Sequence, residues 1–213
     1  MNIEVVQNIQ AEAIMAIVRV ETKERAKEIA QGCLDGGVSV LEISYTLPNA
    51  GEMIAYLKET FDDQLTVGAG TVLDSETARA AILAGAEFII APNFNKEVAF
   101  LSNRYQIPYA PGCSTISEMV EALEYGAAFI KLFPVAGHFG PSFIKTIKTP
   151  LPNMPILSSG GVTLDNMDEW FQSGADCLGI GSLLTKGTSK EIAMNAEKLV
   201  AARDRFRNKE KIE

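Results

Sequence analysis

A chain of 213 residues, 47% of them hydrophobic and 22% charged, is large enough to bury a full core and fits one domain. Its formal net charge of -8, with a pI near 4.8, excludes the basic surface that a nucleic-acid or anionic-membrane partner requires, so an anionic substrate must be held by local features. No charged-then-apolar leader opens the chain and no apolar run approaches the ~20 residues of a membrane span, which predicts a cytoplasmic protein.

In chain order, residues 2–11 predict a short helix ahead of a first apolar strand at 14–20. A helical pattern at 21–34 leads to a unit that recurs along the chain, a glycine, a small or acidic stretch and a short apolar strand. The unit opens at Gly37, Gly85, Gly126 and Gly174, and further strands are predicted at 65–71, 108–111 and 155–157. Helical spacing at 50–61, 75–83, 96–105, 117–125, 142–148, 164–173 and 191–202 separates them. The segment 203–213 is dense in charge and reads as a solvated helix end. Eight strands alternating with helices, without a linker, predict an α/β fold: a (β/α)8 TIM barrel in which residues 1–213 form a single domain with a short extra N-terminal helix. Each repeat glycine suits the left-handed residue that ends one helix before the next strand.

The repeat also locates candidate chemistry. Aligned on the glycine, its sixth position is Glu42, Ile90, Lys131 and Gly179. These belong to the second, fourth, sixth and eighth strands, and inward layers of such barrels draw on alternate strands. Glu42 and Lys131 are therefore expected to face each other in one layer, with Ile90 as a wall and Gly179 leaving space. Two residues further on, Ser44, Pro92, Phe133 and Gly181 reach the upper rim, where active sites of this fold form. Lys131 lies in the apolar run Phe129-Ile130-Lys131-Leu132-Phe133-Pro134, where an unpaired ammonium is costly. An amine attacks a ketone only in its unprotonated form, which apolar surroundings favour. The plainer reading is a buried structural ion pair.

Two glycine clusters follow the last strands, Ser158-Ser159-Gly160-Gly161 and Gly179-Ile180-Gly181-Ser182. Loops after strands seven and eight are the usual phosphate site of a barrel. Val67-Gly68-Ala69-Gly70-Thr71-Val72-Leu73 lacks the third glycine of a dinucleotide fingerprint and reads as a strand kept thin by glycine, with Thr71 offering a hydroxyl at the mouth. Arg19, ending the first strand, is a candidate clamp for a carboxylate or phosphate. His138 is the single histidine, so neither a metal nor an organic cofactor is expected. Cys33, Cys113 and Cys177, odd in number and set in apolar surroundings, predict reduced core residues.

Six motifs taken in order, Val40-Leu41-Glu42, Val67-Gly68-Ala69-Gly70-Thr71-Val72-Leu73, Ala91-Pro92, Pro111-Gly112-Cys113-Ser114-Thr115, Phe129 to Pro134, and Ser159-Gly160-Gly161-Val162, resemble the 2-keto-3-deoxy-6-phosphogluconate (KDPG) aldolase and 4-hydroxy-2-oxoglutarate (KHG) aldolase family. The resemblance implies a class I aldolase on a (β/α)8 barrel, trimeric, that cleaves a 2-keto-4-hydroxy acid to pyruvate and an aldehyde, for KDPG in the Entner–Doudoroff route. By resemblance Lys131 is the Schiff-base lysine and Glu42 the proton-transferring group. Thr71, Pro92 and Phe133 border the pyruvate part, and Gly160, Gly161, Gly181 and Ser182 hold the phosphate, with Ser159 nearby. Many members carry arginine four residues after the glutamate, where this chain has Thr46, and Arg19 is the candidate to replace it. The alternatives are an aldolase for the galactonate epimer, a sugar-phosphate isomerase or epimerase, and a non-catalytic sugar-phosphate sensor.

Overall fold

The structure is a computed structural model that describes residues 1–210. Along it run α1 (Ile3–Glu12), β1 (Ile14–Val18), α2 (Lys23–Asp35), β2 (Val40–Ser44), α3 (Ala50–Phe61), β3 (Thr66–Gly70), α4 (Ser75–Leu83), β4 (Ile89–Ile90) and α5 (Lys96–Tyr105). Then come β5 in two pieces (Tyr109–Ala110 and Gly112–Cys113), α6 (Ile116–Glu124), β6 (Ile130–Leu132), α7 (Ala136–Phe139), α8 (Ser142–Lys148), β7 (Ile156–Ser159), α9 (Met167–Gln172), β8 (Cys177–Ile180), α10 (Ser182–Thr185) and α11 (Ser189–Glu210). Asn2, Thr22, Asp74, Asn95 and Thr115 start helices by accepting backbone N–H bonds at their N-caps. The helix starts thus follow local side-chain chemistry.

All strand pairs are parallel. The sheet runs from the first piece of β5 through β4, β3, β2, β1, β8, β7 and β6 to the second piece of β5. It therefore closes at Pro111, which has no N–H to continue the ladder but whose carbonyl accepts from Lys131 N at 2.9 Å. This is the expected (β/α)8 barrel. Gly37, Gly85, Gly126 and Gly174 all have positive φ, between +84° and +98°, as the helix-ending role requires.

Apolar residues divide into two clusters. The larger lies between sheet and helices; the smaller, built on Met15, Phe88, Phe129 and Leu157, fills the barrel's lower interior, and Val5 and Ile9 of α1 close it from below. Cys33 and Cys113 are buried free thiols pushed up to about 12 by desolvation, and Cys177, a third, is pushed higher still. No helix among the described residues is long and apolar enough to cross a membrane.

Three expectations need correction. The charged end of the chain is not simply solvated: Arg203 donates to Glu12 O at 2.9 Å, and Arg207 to Ala11 O at 2.6 Å and Gln10 O at 2.8 Å. These guanidinium groups satisfy the last carbonyls of α1 and tie the two termini together; residues 211–213 lie outside the described residues. The fifth strand extends past 108–111 to Cys113, across the proline. The short helices α7 and α10 were not expected, being only four residues long each.

The repeat carries a second device. Glu87, third in its unit, accepts from Val67 N and Lys58 Nζ, both at 3.0 Å. Asp176, third in its own, accepts from Ile156 N at 2.7 Å and Lys148 Nζ at 2.9 Å. Each carboxylate thus joins the preceding strand to the helix that leads into that strand. Asp176→Ala strands a backbone N–H and a lysine together, and is expected to lower unfolding free energy by about 1–3 kcal/mol. Denaturant titration reads this; a change below about 0.5 kcal/mol, the size of an ordinary surface substitution, would show the clamp to be dispensable.

Candidate active site

Lys131 is the central residue of β6, level with Gly112 on one side and Leu157 on the other. Glu42 is central in β2, level with Ile17 and Gly68. Both point inward, Nζ lies 4.0 Å from Oε1, and the residues are 8% and 2% exposed. The facing pair expected from the repeat is present. The separation exceeds hydrogen-bond range, so the amine is not locked to the carboxylate. Glu42 Oε2 is also buried and has no hydrogen-bond partner among the described residues. An orphaned carboxylate oxygen in a barrel interior is costly and needs an explanation in function or in what binds there.

Gly70 gives Glu42 its seat. A Cβ at Gly70 would stand 1.8 Å from Glu42 Oε1 and 2.3 Å from Cδ. One level lower, Gly68 makes room for Phe88, whose ring would meet a Cβ at 2.3 Å. These are the physical reasons for a strand kept thin by glycine.

Around the pair, Ile90 is fully buried as the expected wall, and Pro92 is half-buried. The Phe133 ring centroid is 5.6 Å from Lys131 Nζ and the residue is 41% exposed, so it borders the opening, as its rim register predicts. One detail differs from expectation. Gly179 does not leave open space: a Cβ there would be 2.9 Å from Ile17 Cδ1 and 3.0 Å from Ser159 Cβ, which already fill it.

At the rim, Arg19 follows β1, is exposed, and donates from Nε to Ser44 Oγ at 3.5 Å. Ser44 Oγ also lies 3.0 Å from Thr71 Oγ1 and 3.1 Å from Thr46 Oγ1. Thr71 has φ +59°, an unfavourable conformation for a β-branched residue and one that recurs at functional sites. The sequence places Ser44 on the rim but does not show its bonds to Arg19 and Thr71, which come from separate segments that no local pattern links. On the adjoining arc of the rim, Gly160 and Gly161 follow β7 with φ +96° and +76°, and Gly181 follows β8, the neighbour of β1, and precedes α10. Nothing lies within 4 Å of a Cβ built on any of the three, so their backbone is open to a ligand; Ser159 is half-buried beside them and Ser182 exposed. His138 is exposed on α7, and among the described residues no group of three or more His, Cys, Asp or Glu is placed to hold a metal ion.

Residues 5–199 match the family described as KDPG and KHG aldolase. The 2-dehydro-3-deoxy-6-phosphogalactonate aldolase of Escherichia coli K12 is 34% identical over 180 residues, 84% of this chain and 87% of that protein. A structure described as native KDPGal superimposes with TM-score 0.86 and 31% identity, covering 92% of this chain and 96% of that one. The KDPG aldolase of Legionella pneumophila, with pyruvate captured as a covalent carbinolamine, gives TM-score 0.82 and 26% identity over 91% and 96%. The chain belongs to the KDPG and KHG aldolase family. It is an aldehyde-lyase.

Gly70→Ala must displace the Glu42 carboxyl, since the added Cβ would stand 1.8 Å from Oε1. Aldol cleavage is expected to fall by at least about 10²-fold, the scale of a lost proton-transfer group, with the barrel's circular dichroism preserved. Unchanged turnover would show that Glu42 works without this seat.

Proposed function

We propose that the chain is a class I aldolase that cleaves a phosphorylated 2-keto-3-deoxy-4-hydroxy acid to pyruvate and an aldehyde through an imine on Lys131. The observation that carries this is the buried amine 4.0 Å from a buried carboxylate at the mouth of a barrel of this family. The Lys131 amine adds to the C2 ketone to form a carbinolamine. Glu42 delivers a proton to the departing hydroxyl, water leaves, and an iminium remains. Glu42 or a water then removes the C4 hydroxyl proton. The C3–C4 bond breaks with its electrons passing to the iminium nitrogen, and the aldehyde departs. The resulting enamine is protonated at C3, and hydrolysis releases pyruvate and the amine.

Arg19 and Thr71 border the substrate carboxylate, and Pro92 and Phe133 flank the pyruvate part. Gly160, Gly161, Gly181 and Ser182 receive the phosphate by backbone and hydroxyl donors, with Ser159 beside the middle of the substrate. With KDPG the aldehyde is glyceraldehyde 3-phosphate, in the Entner–Doudoroff route; with KHG it is glyoxylate. The galactonate epimer is the second reading, favoured by the E. coli relative at 34% identity. Relative kcat/KM on the two phosphorylated epimers and on KHG separates these.

Residues 1–213 act as one barrel unit. Three buried free thiols fit a reducing compartment, the cytoplasm. A homotrimer is the assembly the family resemblance implies, and exposed Phe100, Ile116 and Val120 on α5 and α6 supply apolar surface for it. Light scattering that returns 23.0 kDa, the mass of one chain, would argue against any such assembly.

Borohydride reduction in the presence of pyruvate, followed by intact mass and peptide mapping, is expected to place one pyruvate adduct on Lys131. Lys131→Met should give no adduct and no turnover. Glu42→Gln should retain some adduct while turnover drops by about 10² to 10⁴. Near-normal activity in Lys131→Met would sink the imine mechanism.

A further inference from the structure

We infer that Ser44 is a positioning residue for the carboxylate of the 2-keto acid, holding Arg19 and Thr71 in one arrangement at the barrel mouth. This rests on the imine reading above. In that reading the carboxylate carbon is bonded directly to C2, and C2 is bonded to Lys131 Nζ. Whatever grips the carboxylate must therefore lie within a few ångströms of the Lys131–Glu42 pair. Ser44 is the next inward residue above Glu42 on β2.

Ser44 is 1% exposed, yet its hydroxyl has three polar neighbours: Thr71 Oγ1 at 3.0 Å, Thr46 Oγ1 at 3.1 Å and Arg19 Nε at 3.5 Å. A serine hydroxyl has one hydrogen and two lone pairs. Arginine can only donate, so it takes one lone pair. The remaining lone pair and the hydrogen serve the two threonines, accepting from one and donating to the other. Nothing is left for a substrate, so Ser44 acts through its neighbours. If Ser44 donates to Thr71, the Thr71 hydroxyl keeps its own hydrogen to offer the mouth; an anion bound there selects that pattern.

The two neighbours need such a brace. Arg19 is exposed and its side chain carries about 2 kcal/mol of rotamer entropy. Its terminal nitrogens make no hydrogen bond to any described residue, so they remain as donors once Nε is anchored on Ser44. Thr71 holds φ +59°, a conformation that persists only when the surroundings over-determine it. The open glycines follow β7 and β8, and β8 pairs directly with β1, so they occupy the β7–β8 arc of the mouth while Ser44 and Thr71 stand beyond β1, at the ends of β2 and β3. The Arg19–Ser44–Thr46–Thr71 group, on the loops and ends of β1 to β3, is thus left for the other anionic end. Thr46 belongs to the brace and supplies no charge.

Ser44→Ala removes the hydroxyl at little cost in volume. In the full-length protein, the pyruvate concentration that half-saturates borohydride trapping is expected to rise about tenfold, as loss of preorganised binding requires. Adduct at saturating pyruvate and kcat should stay near the unsubstituted values. Trapping of acetone, a ketone with no carboxylate, should not change. In an Arg19→Ala background, Ser44→Ala should add little further, because coupled residues are not additive. An unchanged half-saturation for pyruvate, an equal loss of acetone trapping, or full additivity with Arg19→Ala would each overturn the inference. If the unsubstituted protein forms no pyruvate adduct, the imine reading fails first and this inference falls with it.

Discussion

A closed eight-stranded barrel has an interior only just wide enough for side chains to fill it. Each bulky inward residue therefore requires a neighbour reduced to hydrogen. That constraint sets the positions of Phe88 against Gly68, Glu42 against Gly70, and the Pro92 carbonyl against Gly112, where added Cβ atoms would stand 2.3, 1.8 and 2.1 Å away. Below the level of Glu42 the interior is apolar and closed by α1. Above it, Thr71 and Ser159 are half-buried and Phe133 is exposed. The acid and amine occupy the boundary between a packed floor and an open mouth, where a carboxylate is shielded from water yet reachable by a ligand.

The same residue types appear lower in the molecule with a different result. Lys58–Glu87 and Lys148–Asp176 are joined at 3.0 and 2.9 Å, and each carboxylate also accepts a backbone N–H from the preceding strand. Those pairs are satisfied, partly exposed and structural. Lys131–Glu42 is more buried, more widely spaced at 4.0 Å, and leaves Oε2 without a partner. A buried pair that stabilised the fold would be expected to have its remaining oxygen hydrogen-bonded, since an unsatisfied buried charge is among the costliest features a core can contain. Incomplete satisfaction, rather than the presence of an ion pair, distinguishes the chemistry of this pair from that of the clamps.

The periodic part of this design was legible in the sequence. A glycine-led unit at every second strand defines parity, parity defines the inward layer, and the layer brings Glu42 to Lys131. The four helix-ending glycines and the thin third strand follow from the same reasoning. What stayed hidden depends on contacts between segments far apart in the chain. Arg203 and Arg207 looked like solvated charge because the carbonyls they hold belong to α1, nearly two hundred residues away. Gly179 looked like empty space because Ile17 and Ser159, which fill it, come from other strands. The Glu87 and Asp176 clamps left a local trace, an acid third in the unit, but its meaning required the lysines of the helices that lead into the preceding strands.

The acidity of the chain bears on how the mouth is built. A formal charge of -8 opposes the approach of an anionic keto acid, but at physiological ionic strength charges are screened over about 8 Å. Global repulsion is thereby reduced to a modest effect on encounter, and short-range donors decide whether the anion stays. The donors available are largely uncharged: the open backbone at Gly160, Gly161 and Gly181, and the Thr71 hydroxyl braced by Ser44, with Arg19 as the guanidinium beside them. Neutral donors fixed in place gain strength in a partly desolvated pocket without adding a cation that would compete with the Lys131 amine for Glu42. A second guanidinium at position 46, close to Ser44 and one turn of the pleat from Glu42, would introduce such a competitor. With threonine there, the buried carboxylate has one neighbouring amine, and its second oxygen stays without a hydrogen-bond partner among the described residues.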